Sequence, residues 1–423
     1  MMGKKRKISE YIRQVADSHK VIVFTGARQT GKTTLAKDFF HGYTYISIED
    51  PVMRKNYTQL SSAQWKNSFP RAILDEIQKE PVLVESIKAV YDQFPETHYV
   101  MTGSSQFLLL EKVRESLAGR CYIFELYPFT LPEMQTKSFE DAVPDSLFQK
   151  CLRNSSSKET IHKNISEILP SFLLDANYTS KSAAWDFYKK FGAYPALMDE
   201  KRTDEERYLW LKNYVSTYLE RDIRDLASFK DLEPFVRLQQ YLALQTGQTV
   251  NTSSIARQIG VSSKTVQRYI TYFQISYQVI TLQPWTKNEN KRLVKSPKIH
   301  YLDNGILQTV LLKRGGITGA EFESLVIAEI YKQTKALNSD ARFYYLRTLD
   351  GFEVDLLIET QEGYFAFEIK MAEHISKTDA GNLLKVGNFL DKPLLHSFLV
   401  SNDTNTQSFG ENCTAINAAY LLG

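Results

Sequence analysis

Gly26-Ala27-Arg28-Gln29-Thr30-Gly31-Lys32-Thr33-Thr34 has the residue types and spacing to hold a phosphate chain. The two glycines let the backbone wrap around phosphate oxygens with its N–H groups pointing inward. A helix beginning at the second glycine adds the positive end of its dipole. Lys32 is spaced to reach the β- and γ-phosphates and Thr33 to ligate Mg²⁺, so the segment matches the phosphate-loop pattern without a gap. The apolar run Val21–Thr25 before it and the helical pattern Thr33–Phe40 after it are the context that motif requires.

A second apolar run, Ala72–Leu74, ends on Asp75 and Glu76. In open α/β sheets ligands sit at the carboxyl ends of strands, so these acids are expected beside the phosphates. Asp75 is the expected Mg²⁺ holder, through water, and Glu76 the group that orients or deprotonates the attacking water. The second acid favours hydrolysis over binding alone. A further strand, His98–Thr102, runs on into Gly103-Ser104-Ser105, and either serine is placed to sense a γ-phosphate or to cap a helix. Arg120 is the first candidate for an arginine neutralising transition-state charge, ahead of Arg114 and Arg221, with a surface ion pair as the plain alternative for each. An arginine acting from a neighbouring copy would make the working form a homo-oligomer.

Two further constellations lie downstream. In residues 252–273, Ile255, Ala256 and Ile259 make one apolar face, Gly260 a turn, Ser262 or Ser263 a cap, and Val266 and Ile270 a second apolar face. That is helix-turn-helix grammar. It leaves Lys264, Thr265, Gln267 and Arg268 pointing outward from the second helix, where a DNA reader presents them. Tyr277–Leu282 and Lys298–Leu302 are expected to form a wing around the polar stretch Lys287–Arg292. Such winged helices also bind proteins. Near the C-terminus, Asp355 lies on one expected strand and Glu368 and Lys370 on the next, two residues apart and facing one side. Asp355 and Glu368 are candidate Mg²⁺ ligands and Lys370 a lysine beside an activated water, an arrangement suited to phosphodiester hydrolysis. Glu323 or Glu329, on the preceding helix, is the candidate for a further carboxylate. The plain alternative is a cross-strand ion pair on a solvated face.

The strand–helix alternation in the first part argues for a parallel sheet covered by helices. The 423 residues carry 52 basic and 49 acidic side chains, so any nucleic-acid surface must be local. Lys4-Lys5-Arg6-Lys7 reads as a solvated tail. Three scattered cysteines, Cys121, Cys151 and Cys413, fit reduced thiols rather than disulfides or zinc, no apolar run is long enough for a membrane span, and a cytoplasmic protein is expected.

The chain resembles a group of prokaryotic ATPases that pair an N-terminal AAA-type domain with a C-terminal domain of unknown function. The resemblance rests on Gly26–Thr33, Leu74-Asp75-Glu76-Ile77-Gln78, Thr102–Ser105, Ser116–Arg120, Leu126-Tyr127-Pro128-Phe129, Gly192-Ala193-Tyr194-Pro195, Tyr218–Ile223, Glu353-Val354-Asp355 and Glu368-Ile369-Lys370. It implies an α/β P-loop ATPase core with a winged helix and a restriction-endonuclease-like terminal domain. Such proteins often carry two glycines before the Tyr-Pro, and Ala193 stands in the second place, which is costly if that residue takes a positive φ. The expected units are a P-loop ATPase domain over residues 1–135, a helical lid and connector over 136–230, a winged helix over 231–305 and a nuclease-like domain over 306–423. The reading that follows is an ATP- and Mg²⁺-dependent hydrolase that acts on or senses nucleic acid, DNA in preference. Its rival is an ATP-controlled switch whose terminal domains bind protein.

Overall fold

The computed structural model describes residues 3–16, 18–103, 113, 115–226, 232–287 and 296–423, with the side chains of 218–226 outside the description. Five parallel strands form the N-terminal sheet: β1 (Val21–Thr25), β2 (Thr44–Ser47), β3 (Arg71–Asp75), β4 (His98–Gly103) and β5 (Cys121–Glu125). Their order is β2-β3-β4-β1-β5, which puts β1 between β4 and β5 and carries the phosphate loop over the middle of the sheet. Both faces are covered. Val21, Val23, Leu74 and Met101 pack one side with Trp65 and Ile87, and Ile22, Phe24, Ile73 and Val100 pack the other with Ile12 and Leu35. Burial on both faces explains why β1, β3 and β4 are continuous apolar runs rather than alternating ones.

Lys4-Lys5-Arg6-Lys7 is not a solvated tail. Arg6 and Lys7 are only 6% and 4% exposed. Arg6 lies 3.4 Å from Glu133 and over the Phe129 ring, and Lys7 is 3.0 Å from Asp145. The run straps the first sheet to the helices that follow, and buried carboxylates offset its desolvation.

Those helices, among them Leu147–Arg153, Lys158–Ser166 and Tyr178–Phe191, fall where a lid over the nucleotide was expected. The first two of these pack on the C-terminal sheet and its terminal helix instead. Phe148 meets Phe367 at 5.9 Å, Phe172 stacks on Tyr420 at 5.1 Å, and His162 packs edge-on against His396. Ser146 and Gln149 form a capping box that starts the first of them.

Helix Glu233–Leu244, helix Thr252–Ile259 and helix Ser263–Ile275 come next, followed by an antiparallel hairpin of β6 (Val279–Pro284) and β7 (Lys298–Tyr301). Gly260 turns the chain at φ 76° and Ser262 caps the third helix through Thr265 N–H. The hairpin does not stand alone. β6 continues into parallel pairing with β8 (Arg342–Arg347), so the C-terminal sheet crosses the expected boundary at residue 305. β8, β9 (Glu353–Glu359) and β10 (Tyr364–Ile369) form an antiparallel meander. β11 (Leu394–Ser401) then lies parallel to β10, and β13 (Cys413–Asn417) parallel to β11, with the short β12 (Gln407–Ser408) at the edge. Helix Gly319–Ala336, started by a Thr318–Glu321 capping box, runs through the middle of the molecule with most of its length buried. Fully buried Phe322, Ile327 and Ile330 on it each contribute about 1.5–3 kcal/mol.

Candidate functional site: a phosphate loop, an exposed helix and an acidic centre

The phosphate loop leaves β1 at Thr25 and enters helix Lys32–Phe39. Gly26 takes φ 148°, and a Cβ there would fall 2.1 Å from the Leu126 carbonyl oxygen, so only glycine fits. Gly31 takes φ 92° at the helix start and Gln29 φ 60° at the crest. Thr30 Oγ1 donates to the Ala27 carbonyl at 2.9 Å and fixes the curl. Lys32 Nζ reaches back into the ring of the loop, donating to Gly26 O at 3.0 Å and Ala27 O at 2.7 Å. Arg28 and Thr34 flank this ring, Arg28 half-buried and Thr34 exposed.

Asp75, at the end of β3, meets the loop. Thr33 Oγ1 donates to Asp75 Oδ1 at 2.8 Å, the Thr102 hydroxyl donates to the same oxygen, and Tyr45 OH donates to Oδ2 at 2.7 Å. Burial, together with the neighbouring carboxylate, holds the Tyr45 phenol far above its ordinary pKa, so it stays a donor. The Lys37 ammonium lies 3.3 Å from the centre of its ring. A threonine hydroxyl and a carboxylate oxygen side by side, at the mouth of a phosphate loop, form a donor set that fits Mg²⁺. Glu76 follows in the left-handed region at φ 59°, and Gln78 Nε2 donates to its Oε2 at 2.5 Å. Nothing in the sequence pattern singles out Tyr45 or Thr102 as a partner of Asp75. The small hydroxyl residues at the end of β4 point to Ser104 and Ser105 instead, and both of these lie outside the described residues, as does Arg114.

Arg120 does not face the loop of its own chain. It precedes Cys121, which pairs with Val21 at the start of β1, whereas the phosphate loop leaves the other end of the same strand. Five residues of strand, about 16 Å, separate the two edges. Arg120 is instead ion-paired with Asp92 at 2.8 Å. The side chain of Arg221 is outside the description.

Three later segments touch the nucleotide region. Tyr214 OH donates to Arg28 O at 3.4 Å and lies 3.1 Å from Tyr194 OH. Tyr277 OH lies 3.3 Å from both Thr25 Oγ1 and Glu125 Oε1. Residues 195–201 border a cleft of about 480 Å³ that reaches Thr34 of the loop and is walled by Arg6, Phe129, Phe139, Pro195 and Met198. The turn before Tyr194 needs glycine at 192, not at 193. Gly192 sits at φ 75° with the Asp303 carboxylate where a Cβ would be, while Ala193 is outside the positive-φ set. Ala193 N–H donates to Asp303 Oδ2 at 2.8 Å, so alanine in the second place is without strain.

Residues 18–135 match the family model described as an AAA domain. This part of the chain is similar to AAA-type P-loop domains. Residues 182–315 and 318–421 match two further models, each described as a domain of unknown function. An uncharacterized protein of Mycobacterium tuberculosis is 26% identical over 382 residues, spanning 88% of this chain and 74% of its own length. An uncharacterized protein of Haemophilus influenzae is 21% identical over 423 residues, spanning 93% of each. The solved Walker-type ATPase of Pyrococcus abyssi aligns with 72% of this chain and 95% of its own, at 12% identity and a TM-score of 0.44.

Outside the AAA-type domain, Lys264, Gln267 and Arg268 are exposed on helix Ser263–Ile275. Thr265 is half-buried, and its hydroxyl lies 2.8 Å from that of the capping Ser262. In the C-terminal sheet, Asp355 Oδ2 accepts from Ile369 N–H at 2.8 Å, and Glu368 Oε1 is 2.7 Å from Lys370 Nζ, so the three expected residues meet at one end of the adjacent strands β9 and β10. Burial and mutual repulsion push the carboxyls of Glu323, Asp355 and Glu368 up from their ordinary range. Glu323 is the helix acid that joins them. Glu329, the other candidate, faces away: with Lys332 at 2.7 Å it forms a fully buried pair, and its Oε1 accepts from Leu131 N–H at 2.7 Å. Among the described residues no three His, Cys, Asp or Glu side chains converge into a metal cage. One member of the cluster had no sequence signal at all, Lys298 of β7, whose Nζ is 2.8 Å from Glu353 Oε1 and 3.5 Å from Glu323 Oε1.

Proposed function

We propose that the chain binds and hydrolyses ATP with Mg²⁺ and uses the nucleotide state to control a nucleic-acid-facing helix, with DNA the favoured ligand. The observation that carries the ATP reading is the hydrogen bond between Thr33 and Asp75, which joins the phosphate loop to the acidic strand end. The loop and Lys32 hold the phosphates, and the cleft between Arg6 and Met198 takes the nucleoside. Mg²⁺, when held beside Thr33 and Asp75, neutralises charge on the β- and γ-phosphate oxygens. Glu76 takes the proton of a water that attacks the γ-phosphorus, the bond to the ADP oxygen breaks, and phosphate leaves. The link to the rest of the molecule runs through Tyr214 at Arg28 and Tyr277 at Thr25.

The nucleic-acid reading is supported by the order helix, helix, turn, helix, hairpin, which suits a winged helix, and by the exposure of Lys264, Gln267 and Arg268. A helix followed by an antiparallel meander and a parallel fourth strand, with Asp355, Glu368 and Lys370 together at one end of β9 and β10, supports a restriction-endonuclease-like fold. The residues there do not make a metal cage, so no cleavage step is derived. A second reading, a nucleotide-controlled switch with an idle nuclease-like domain and a protein partner, is favoured by the lysine seated in that acidic centre. A fluorescent-duplex binding titration from 50 to 200 mM salt, with and without ATP, separates the two. DNA bound with a steep salt dependence and an affinity changed by ATP supports the first reading. No binding at 50 mM salt, with ATP hydrolysis intact, overturns it in favour of the second.

A further inference from the structure

We propose that Lys298 is the resident cation of the acidic centre made by Glu323, Glu353, Asp355 and Glu368, and that no divalent ion enters that centre while the lysine is in place. The proposal rests on reading Asp355, Glu368 and Lys370 as a nuclease-type constellation, and it names how that site is regulated.

Buried carboxylates need a counter-charge. Asp355 and Glu368 are 8% and 7% exposed, and the Glu323 side chain is 15% exposed. Lys370, the lysine of the constellation itself, pairs with Glu368 Oε1 at 2.7 Å and acts on Asp355 electrostatically, and its own side chain is 43% exposed. Glu368 Oε2 is buried with no hydrogen-bond partner among the described residues. The charge that balances the remaining acids comes from Lys298. Its residue is 4% exposed, its Nζ lies between Glu353 and Glu323, and Asp355 acts on it electrostatically. An ammonium on a four-carbon stem is a compact point charge. Seated there, it takes the acids' electrostatic attraction and repels a second cation. This accounts for the absence, among the described residues, of three converging acids at metal-ligand distance: Glu323 and Glu353 are turned to the ammonium.

The origin of Lys298 makes the arrangement a control point. The four acids belong to helix Gly319–Ala336 and to β9 and β10. Lys298 belongs to β7, the outer strand of the hairpin that follows helix Ser263–Ile275, and its backbone bridges to Thr249 between the two preceding helices. The cation is thus supplied by the outermost strand of the sheet, which is also bridged to the preceding helices. Displacing β7 would take away the charge that fills the centre.

The test is Mn²⁺ binding to the full chain without nucleotide, read from the electron paramagnetic resonance signal of free Mn²⁺. Every arm carries Asp75→Asn, so that the phosphate-loop site does not contribute. The expected result is no bound ion in this background up to the highest Mn²⁺ concentration used, one ion bound in Lys298→Met with a dissociation constant at least tenfold below that concentration, and loss of that ion when Glu368→Gln is added. An ion bound in the background and lost with Glu368→Gln alone overturns the lysine proposal and keeps the nuclease-type reading. No ion in any arm, with Lys298→Met folded by its thermal transition, overturns both. If Lys298→Met does not fold, the background with and without Glu368→Gln still decides, because an ion bound by the first and not by the second contradicts a lysine-filled centre.

Discussion

Gly192 shows what a single position can require. Its φ of 75° and the Asp303 carboxylate 2.0 Å from an added Cβ leave no room for a side chain. Gly192→Ala should therefore cost about 2–4 kcal/mol, from positive φ and overpacking together, seen as a lower urea midpoint with ATP binding retained by the folded fraction. Titration supplies a second expectation. Burial pushes His300 and His396 down to about 3. Between pH 6.5 and 3 the unfolded chain then binds protons that the folded chain does not, so this stability is present above pH 6.5 and is lost as pH falls, at up to about 1.4 kcal/mol per pH unit for each ring. His300→Phe should reduce the fall in urea midpoint between pH 7 and pH 5, and an unchanged fall would show that the ring does not titrate this way. At this scale the phosphate loop was legible because its chemistry is local: Gly26, Gly31, Lys32 and Thr33 act within one turn of chain. Tyr45, Thr102 and Lys298 were not, because each reaches its partner from a different strand.

For elements, the capping residues and apolar periodicity gave helix positions well. The apolar run Val21–Thr25 is β1, the helical pattern over Thr33–Phe40 runs Lys32–Phe39, and the strand expected over His98–Thr102 runs His98–Gly103. Apolar spacing states that a face is buried, not what covers it, which is why helices expected to cover the nucleotide lie on the C-terminal sheet. Strands β11 and β13 went unnoticed, and both are buried runs of a kind that periodicity does not separate from helix. The exposed face of helix Ser263–Ile275 carries the element-scale prediction. Lys264→Ala with Arg268→Ala should weaken duplex binding uniformly across sequences and lower the salt slope by about 2, one for each phosphate that these side chains neutralise. An unchanged slope would remove this helix from the interface.

Across the whole molecule, the AAA-type domain and the C-terminal unit are joined by a buried lock. Lys332 donates to Phe129 O at 2.8 Å, Glu329 accepts from Leu131 N–H at 2.7 Å, and both side chains are fully buried. Breaking a buried pair by removing one partner costs about 3–5 kcal/mol, so Lys332→Met should lower the calorimetric transition and divide it into two if this lock couples the units. A single transition at the wild-type temperature would mean that other interactions carry the coupling. Nucleotide chemistry here depends on separable roles for neighbouring groups. The most direct measurement is ATP binding by equilibrium dialysis together with phosphate release, on wild type, Lys32→Ala and Glu76→Gln in the presence of Mg²⁺. Wild type should bind ATP and turn it over slowly, Lys32→Ala should do neither, and Glu76→Gln should keep binding with turnover reduced at least a hundredfold. Normal phosphate release by Glu76→Gln, or ATP binding undiminished in Lys32→Ala, would contradict these roles.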